Sequence, residues 1–324
     1  MTRARTTVIS GAERRTDRTA RRSPVADPAP TPSRIAPVLR RERTGLVALA
    51  VPNLEEPYFA ELTALLVRRA DARGLSILIQ QTEGDHDREV DIANGVGLPP
   101  TDGLIHIPRS LTVGDLTRRT SPGPLVLLGE HIQVSPFTHV AIDNRDAMRT
   151  ATVHLAEAGC RRVAFVGARD ASPSDAADRR YAGYREAVAE LGLAAEPALV
   201  AQLVAFTPEE GRRAAEGLLA AGIGFDGVVC SNDSVAIGVL AALHTGGLRI
   251  PEDVAVVGVD DVRGARFTTP PLTTVAPDNE AIVEAALVEL ERQIAAPPGA
   301  DMPVRHVIAP ARLVVRESTA RSAR

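Results

Sequence analysis

The sequence contains no lysine and no tryptophan: all 37 basic residues are arginine, and aromatic residues make up only 3% of the 324 residues. Without lysine the chain cannot form a P-loop, whose Gly-Lys-Ser/Thr ending needs that side chain. The scarcity of rings argues against a stacking platform for single-stranded nucleic acid. The two cysteines, Cys160 and Cys230, are too few for a disulfide framework, so we expect free, buried thiols in a reducing cytosol.

Long apolar runs and enzyme motifs are also missing. No run approaches the roughly 18 residues that cross a bilayer, and the Arg-rich N-terminus lacks the apolar segment of a secretion signal, so we expect a cytoplasmic protein with no membrane partner. Gly95-Val96-Gly97 follows no strand and lacks the third glycine of a dinucleotide loop. There is no Gly-x-Ser-x-Gly elbow, and the seven histidines lack ligand spacing. These absences predict no enzyme, no cofactor and no metal.

The net charge of -4 is divided unevenly along the chain. Residues 1–44 carry eleven arginines and four acids, a net charge of +7, which leaves -11 for the remainder. Five prolines lie within 23–37, a composition that cannot support a helix or a core. We therefore predict a basic, Pro-rich disordered arm over residues 1–43. It is either a solubilising tail or a segment that contacts nucleic acid.

After the arm, strand-like and helical patterns alternate. Leu46–Val51 is a buried-strand run, and Tyr58–Arg73 has helical spacing that ends at Gly74. Arg88–Pro100 contains two glycines and two prolines, so we expect a short or frayed helix there. The alternation restarts after Asp146. The pattern is typical of an α/β fold with two lobes, each a doubly wound parallel sheet.

Polar and aromatic side chains follow several predicted strands. In open α/β sheets, ligands bind outside the carboxyl ends of the strands, and Arg, carboxylate, amide and aromatic groups together suit a hydroxyl-rich ligand. Asp and Asn are also common helix N-caps, so each one alone has a plain structural explanation. The candidate residues are Tyr58, Phe59, Asp143, Asn144, Arg180, Asn232, Asp233 and Asp260.

The order of several motifs resembles one known family. These include Asn53-Leu54-Glu55-Glu56-Pro57-Tyr58-Phe59, Thr101-Asp102-Gly103-Leu104-Ile105, Arg180-Tyr181-Ala182-Gly183-Tyr184, Cys230-Ser231-Asn232-Asp233-Ser234 and Pro251-Glu252-Asp253-Val254-Ala255. From about Pro32 to Ser318 the chain is similar to LacI/GalR-type bacterial transcription regulators, whose effector-binding core shares the fold of type I periplasmic sugar-binding proteins.

The resemblance implies two lobes joined by three crossovers, near Asp143–Asp146, Thr274–Asp278 and Val304–Pro310. Lobe 1 would comprise residues 44–145 and 276–306, and lobe 2 residues 146–275 and 307–324. The candidate residues would contact a small effector in the cleft, with Asp143 or Asn144 near the first crossover and Phe206 as a stacking ring. Arg180 would be the main residue that donates paired hydrogen bonds to ligand hydroxyl or carboxyl groups. The effector would be a sugar or a related polyol or nucleoside. We expect Arg180→Ala to abolish effector binding with nearly unchanged thermal stability.

The front of the chain departs from the family pattern. Met1–Thr31 shows no apolar helix pair for the family's helix-turn-helix, which predicts a truncated or degenerate DNA-reading head. Pro32–Arg41 resembles the hinge helix that contacts the minor groove, with Pro37 inside it. The resemblance implies DNA contact by Arg34, Leu39, Arg40 and Arg41, and a homodimer on operator DNA. The predicted function is a LacI-type repressor; the alternative is a stand-alone sugar-binding sensor without DNA binding.

Overall fold

The computed structural model describes residues 43–129, 132, 136–169, 176–297, 300 and 302–320. Nearly all of the predicted N-terminal arm lies outside these residues, and with it Arg34, Leu39, Arg40 and Arg41. Within the described part of the chain, no helix is long and apolar enough to cross a membrane.

The first half of the body alternates strands with helices, as predicted. Its elements are β1 (Leu46–Val51), α1 (Pro57–Asp71), β2 (Ser76–Gln81), α2 (His86–Ala93), β3 (Gly103–His106), α3 (Val113–Thr117), β4 (Leu125–Leu128) and β5 (Thr138–Ile142). Every strand pair formed among β1–β5 is parallel. Because parallel strands with helical crossovers end at one edge, the loops after β1, β3, β4 and β5 lie on the same side of this sheet.

The second half repeats this plan. Its elements are α4 (Asn144–Glu157), β6 (Val163–Ala168), α5 (Ala176–Glu190), β7 (Val200–Gln202), α6 (Pro208–Ala220), β8 (Gly227–Cys230), α7 (Asp233–Thr245), β9 (Ala255–Val259) and β10 (Thr273–Pro277). Short 3₁₀ turns lie at Pro197–Leu199 and Arg263–Phe267. Helices α6 and α7 touch at glycines: a Cβ on Gly238 would lie 1.8 Å from the Pro208 carbonyl oxygen.

The last elements return to both sheets. They are α8 (Asn279–Ala295), β11 (His306–Ala309) and β12 (Ala311–Val314). Sheet A has the strand order β11-β5-β4-β3-β1-β2, and sheet B has the order β12-β10-β9-β8-β6-β7. Among the strand pairs of the described residues, β10 and β12 are antiparallel and the others are parallel. Sheet A with α1, α2, α3 and α8 is lobe 1 below, and sheet B with α4–α7 is lobe 2.

The chain passes between the lobes three times: after β5 at Asp143, after β10 at Asp278, and between β11 and β12 at Pro310. The predicted fold class of the body, two parallel-sheet α/β lobes joined by crossovers, is therefore confirmed. Two of the predicted lobe limits differ from the strand bounds by a few residues. The first segment of lobe 2 is predicted to end at residue 275, but β10 continues in sheet B to Pro277. Lobe 1 is predicted to end at residue 306, but β11 belongs to sheet A and continues to Ala309.

The short helix expected in lobe 1 is α2. It begins at His86, where the Asp85 carboxylate accepts a hydrogen bond from the Arg88 amide as an N-cap, and it ends at Ala93. Gly95 and Gly97 then adopt φ values of +80° and +75°, a left-handed conformation that glycine reaches without strain. The helix therefore ends before the Gly- and Pro-containing half of the predicted segment.

Candidate functional site

A cavity of about 160 Å³ lies between the lobes, at the carboxyl ends of their strands. Seven of the nine predicted ligand contacts line it, and each reaches it from the loop or helix that follows a strand, or from the loop before α6. They are Tyr58, Phe59, Asn144, Arg180, Phe206, Asn232 and Asp260. The chain thus brings residues separated by some 200 positions in sequence to one place.

Arg180 is the centre of a hydrogen-bond network on the polar side of the cavity. Its Nε donates to the Asn144 Oδ1 atom at 2.7 Å, and its terminal nitrogens donate to the Ser231 carbonyl oxygen and, at 3.4 Å, to the Asp260 carboxylate. Its side chain is only 14% exposed. These partners fix the guanidinium before any ligand arrives, which lowers the entropic cost of binding.

Asp260 follows β9 and is buried. Its backbone has φ of 115°, a conformation that is rare for a residue with a Cβ and that clusters at functional sites. Burial raises the pKa of Asp260 to about 6; the charge of Glu56 acts in the same direction, and Arg180 and Arg109 act against it. Above about pH 6 the Asp260 carboxylate is mostly charged, and in that form it can accept a hydrogen bond from a ligand hydroxyl.

Aromatic rings reach the cavity from both lobes. Tyr58 and Phe59, in the first turn of α1, lie edge to face with ring centroids 5.4 Å apart. Tyr58 packs against the apolar cores of both lobes, and burial raises the pKa of its phenol above the ordinary value, so the hydroxyl stays protonated. Phe206 lies across the cavity in lobe 2, with the Arg169 guanidinium 5.4 Å from its ring centre. Such rings can cover the apolar faces of a sugar.

The structure places the remaining two predicted contacts, Asp143 and Asp233, outside the cavity lining. Asp143 is the N-cap of α4 and accepts from the Asp146 amide at 3.0 Å. Asp233 is fully buried, and its carboxylate accepts from the Thr274 hydroxyl at 2.7 Å and the Val262 amide at 2.9 Å. The interpretation of these two as ligand contacts is therefore revised: one caps a helix, and the other ties α7 to the ends of β9 and β10.

Asn232 both caps a helix and lines the cavity. Its Oδ1 atom caps α7 by accepting from the Val235 amide at 2.9 Å, while the residue also lines the cavity. The amide nitrogen of the same side chain can donate to a ligand. The cap fixes the orientation of that amide, so the structural and the binding explanations of this residue are compatible.

Sequence reasoning missed an ion pair in the cavity wall. Arg109, three residues after β3, donates to both Glu56 carboxylate oxygens at 2.9 and 2.8 Å and lies 5.3 Å from the centre of the Phe59 ring. It also missed Ser231, whose hydroxyl is buried without a hydrogen-bond partner among the described residues. Both positions follow strands, so the rule about carboxyl ends could have indicated them.

Lobe 1 also contributes an apolar surface to the cavity. It is formed by side chains from α1, the ends of β4 and β5, and the first turn of α8, namely Leu62, Leu128, Val140, Ile142 and Ile282. All five are nearly buried parts of the main core. The cavity therefore presents the Arg180 network from lobe 2, and from lobe 1 an apolar surface beside the Glu56–Arg109 ion pair. This arrangement suits a small ligand that has both hydroxyls and apolar faces.

Known proteins share this architecture. A family model of the periplasmic binding protein-like domain matches residues 152–319. The HTH-type transcriptional regulator MalR of Streptomyces coelicolor is 34% identical over 299 residues, which cover 87% of this chain and 83% of that protein.

Solved structures agree. A transcriptional regulator of the LacI family from Sanguibacter keddieii is 39% identical, with a TM-score of 0.79, over 86% of this chain and 99% of that one. A complex of the transcriptional regulator CelR with cellobiose is 29% identical, with a TM-score of 0.72, over 85% of each chain.

These relatives are regulators of transcription rather than enzymes, in agreement with the prediction of no enzymatic activity. The match covers both lobes, and the cavity lies between them as expected for an effector-binding core. Fold, motifs and relatives lead to one conclusion: the chain belongs to the LacI/GalR-type family of bacterial transcription regulators, and residues 43–320 contain its effector-binding core.

Proposed function

We propose that this protein is a repressor whose interlobe cavity binds a small sugar, and that closure of the lobes around the sugar changes the affinity for operator DNA. The observation that carries the proposal is the Arg180 network, which presents a held guanidinium, a buried carboxylate and an amide to a cavity covered by aromatic rings. Guanidinium and carboxylate groups recognise hydroxyls by directed hydrogen bonds, and rings pack on the C–H faces of sugars.

The size of the cavity supports a ligand group as small as a single sugar ring beside Arg180. At about 160 Å³ it is below the roughly 300–1,000 Å³ of pockets for drug-sized ligands. The solved complex of the related regulator CelR contains cellobiose, which supports a sugar over a nucleoside.

Closure is supported by contacts that already join the two lobes. The Glu61 carboxylate in α1 accepts a hydrogen bond from the Arg263 amide in lobe 2 at 2.8 Å, and three passages of chain connect the lobes. A sugar that binds the closed arrangement better shifts the population toward it. Only this difference in affinity between the two arrangements can alter DNA binding.

DNA contact is assigned to the N-terminal segment, through Arg34, Leu39, Arg40 and Arg41. The rest of the chain carries a net charge of -11, which repels a phosphate backbone. A homodimer in the cytoplasm would place two such segments on a palindromic site. The Pro-rich composition of 23–37 favours one second candidate, a sugar sensor that does not bind DNA.

The test is fluorescence anisotropy of the full chain on labelled DNA from upstream of its own gene, in a salt series, with and without a panel of sugars. We expect specific, salt-dependent binding that a sugar changes at least about ten-fold, a shift of 1.4 kcal/mol. Arg180→Ala should bind the same DNA without responding to sugar. Sugar binding without DNA binding would establish the sensor, and the absence of both would contradict the proposal.

A further inference from the structure

A second and larger space of about 700 Å³, here called the vestibule, adjoins the effector cavity. The two spaces share three wall residues, Glu56, Arg109 and Phe206. Lobe 1 contributes further polar side chains to the vestibule, and lobe 2 contributes the loop before α6. The open space next to the cavity that contains Arg180 is therefore several times larger than that cavity.

Each lobe has an arginine guanidinium over a phenylalanine ring beside the two spaces. In lobe 1 the Arg109 guanidinium lies over Phe59 at 5.3 Å, and in lobe 2 the Arg169 guanidinium lies over Phe206 at 5.4 Å. Arg109 is held by both oxygens of Glu56. An arginine–ring pair thus lies in each lobe beside these two spaces, and flat apolar and guanidinium surfaces pack well against sugar rings.

The vestibule itself has the groups that a second sugar ring needs. Asn53, Glu55, Gln81 and Glu83 line it from lobe 1, and their amides and carboxylates can bond hydroxyls. Glu83 has φ of 60°, an uncommon conformation for a residue with a Cβ and one that clusters at ligand sites. Val204 lines the vestibule from lobe 2 with 78% of its surface exposed, an apolar contact for the C–H face of a ring.

The charges of these walls favour a neutral ligand. In the cavity, Arg109 pairs with Glu56 and Arg180 pairs with Asp260. A carboxylate therefore compensates the charge of each arginine. In the vestibule, the described lining adds Glu55 and Glu83 against Arg169 alone. A phosphorylated sugar would bring further negative charge next to these carboxylates, which disfavours its binding.

We propose that the effector is a neutral disaccharide, with one ring beside Arg180 and the second in the vestibule, between the Glu83 side of lobe 1 and Val204 of lobe 2. The inference rests on the proposed function, since it assumes that a sugar binds in the cavity. It adds to that function the length and the charge of the sugar, and it assigns binding roles to Glu55, Glu83 and Val204.

Isothermal titration of the full chain tests the inference with glucose, galactose, glucose 6-phosphate and six neutral disaccharides: maltose, cellobiose, trehalose, lactose, sucrose and melibiose. We expect at least one disaccharide to bind at least about ten-fold more tightly than either monosaccharide, as one added charge-assisted hydrogen bond would give. Tighter binding of the monosaccharides or of the phosphate ester would overturn the inference and leave the proposed function intact. No binding of any sugar would overturn both.

Substitutions test whether the second sugar ring binds in the vestibule. The double variant Glu55→Gln with Glu83→Gln should weaken the disaccharide about ten-fold and leave any monosaccharide affinity within two-fold. Glu252→Gln, an exposed acid outside both spaces, is the matched control and should change neither. Equal loss of both sugars in the double variant, or no loss of either, would contradict the location of the second ring.

Discussion

Replacing Arg180 with alanine should abolish effector binding and also lower the stability of the folded chain. The sequence alone predicts the first effect but nearly unchanged stability. The structure changes the second expectation, because Arg180 bonds Asn144, the Ser231 carbonyl and Asp260 inside the protein. Its loss leaves a buried carboxylate without its cation.

The size of the stability effect follows from these contacts. Removing one partner of a buried ion pair costs about 3–5 kcal/mol. Two features reduce the cost here: the nitrogen–oxygen distance to Asp260 is 3.4 Å, and the pKa of Asp260 is already raised to about 6, so the carboxyl can take up a proton. We therefore expect a loss of about 2 kcal/mol, or a fall of about 4 °C in Tm for a body of this size.

Two measurements separate the two effects. Thermal unfolding at pH 7.5 without ligand gives the stability, and titration calorimetry with the sugar that the wild-type protein binds gives the affinity. A loss of two charge-assisted hydrogen bonds predicts an affinity at least about 100-fold weaker. The double variant Arg180→Met with Asp260→Asn removes both charges, so it should regain most of the lost stability and none of the affinity.

Unchanged sugar affinity in Arg180→Ala would refute the assignment of this residue. Unchanged Tm would refute the argument from the ion pair, because it would mean that Asp260 needs no compensating cation. A double variant no more stable than Arg180→Ala would show that the hydrogen bonds to Asn144 and Ser231, rather than the charge of Asp260, account for the loss.

Three further predictions concern other contacts. Gly238→Ala should prevent stable folding, because its Cβ would lie 1.8 Å from a carbonyl oxygen of α6. In contrast, a Cβ at Gly217 would have no atom of the described residues within 4 Å, so Gly217→Ala should raise the unfolding free energy in urea by about 0.5–1 kcal/mol. Glu89→Gln should cost about 2–4 kcal/mol in the same assay, since Glu89 is buried and accepts from the amides of Arg109, Ser110 and Leu111; a cost below about 1 kcal/mol would contradict that role. Sugar affinity should fall as pH drops below about 6, where the Asp260 pKa lies, and Asp260→Asn should remove this dependence. Because this pKa is raised from 3.8, the folded state holds the proton more tightly than the unfolded chain, so the contribution of Asp260 to stability is full below pH 3.8 and is lost as pH rises through about 6.

The sequence predicted the lobes well because their signals are local. Strand runs such as Leu46–Val51, and helices that end at a glycine such as Gly74, depend on neighbouring residues, and the structure contains them with small shifts. The position of the cavity followed from the rule that ligands bind at carboxyl ends of strands. These features need no knowledge of long-range contacts.

The details of the cavity wall were not predictable in the same way. Asn232 and Asp233 are adjacent, yet Asn232 is the extended N-cap residue and Asp233 is the first residue of α7. Asn232 lines the cavity, whereas Asp233 is fully buried outside the cavity lining. The pair of Glu56 and Arg109 joins positions 53 residues apart, and no local pattern links them. Which of two neighbouring polar residues reaches the ligand is decided by packing, which the pattern of residue types does not contain.

The passage at Pro310 limits how the lobes can move. One residue separates β11 in sheet A from β12 in sheet B, its ring fixes φ, and its carbonyl accepts from the Asp278 amide of the second passage at 2.8 Å. Two of the three connections are thus joined by a hydrogen bond, which favours rotation of the lobes about this edge over sliding. In the proposed closure, displacement would grow with distance from Pro310, so we expect the surfaces farthest from it to move most when a sugar binds.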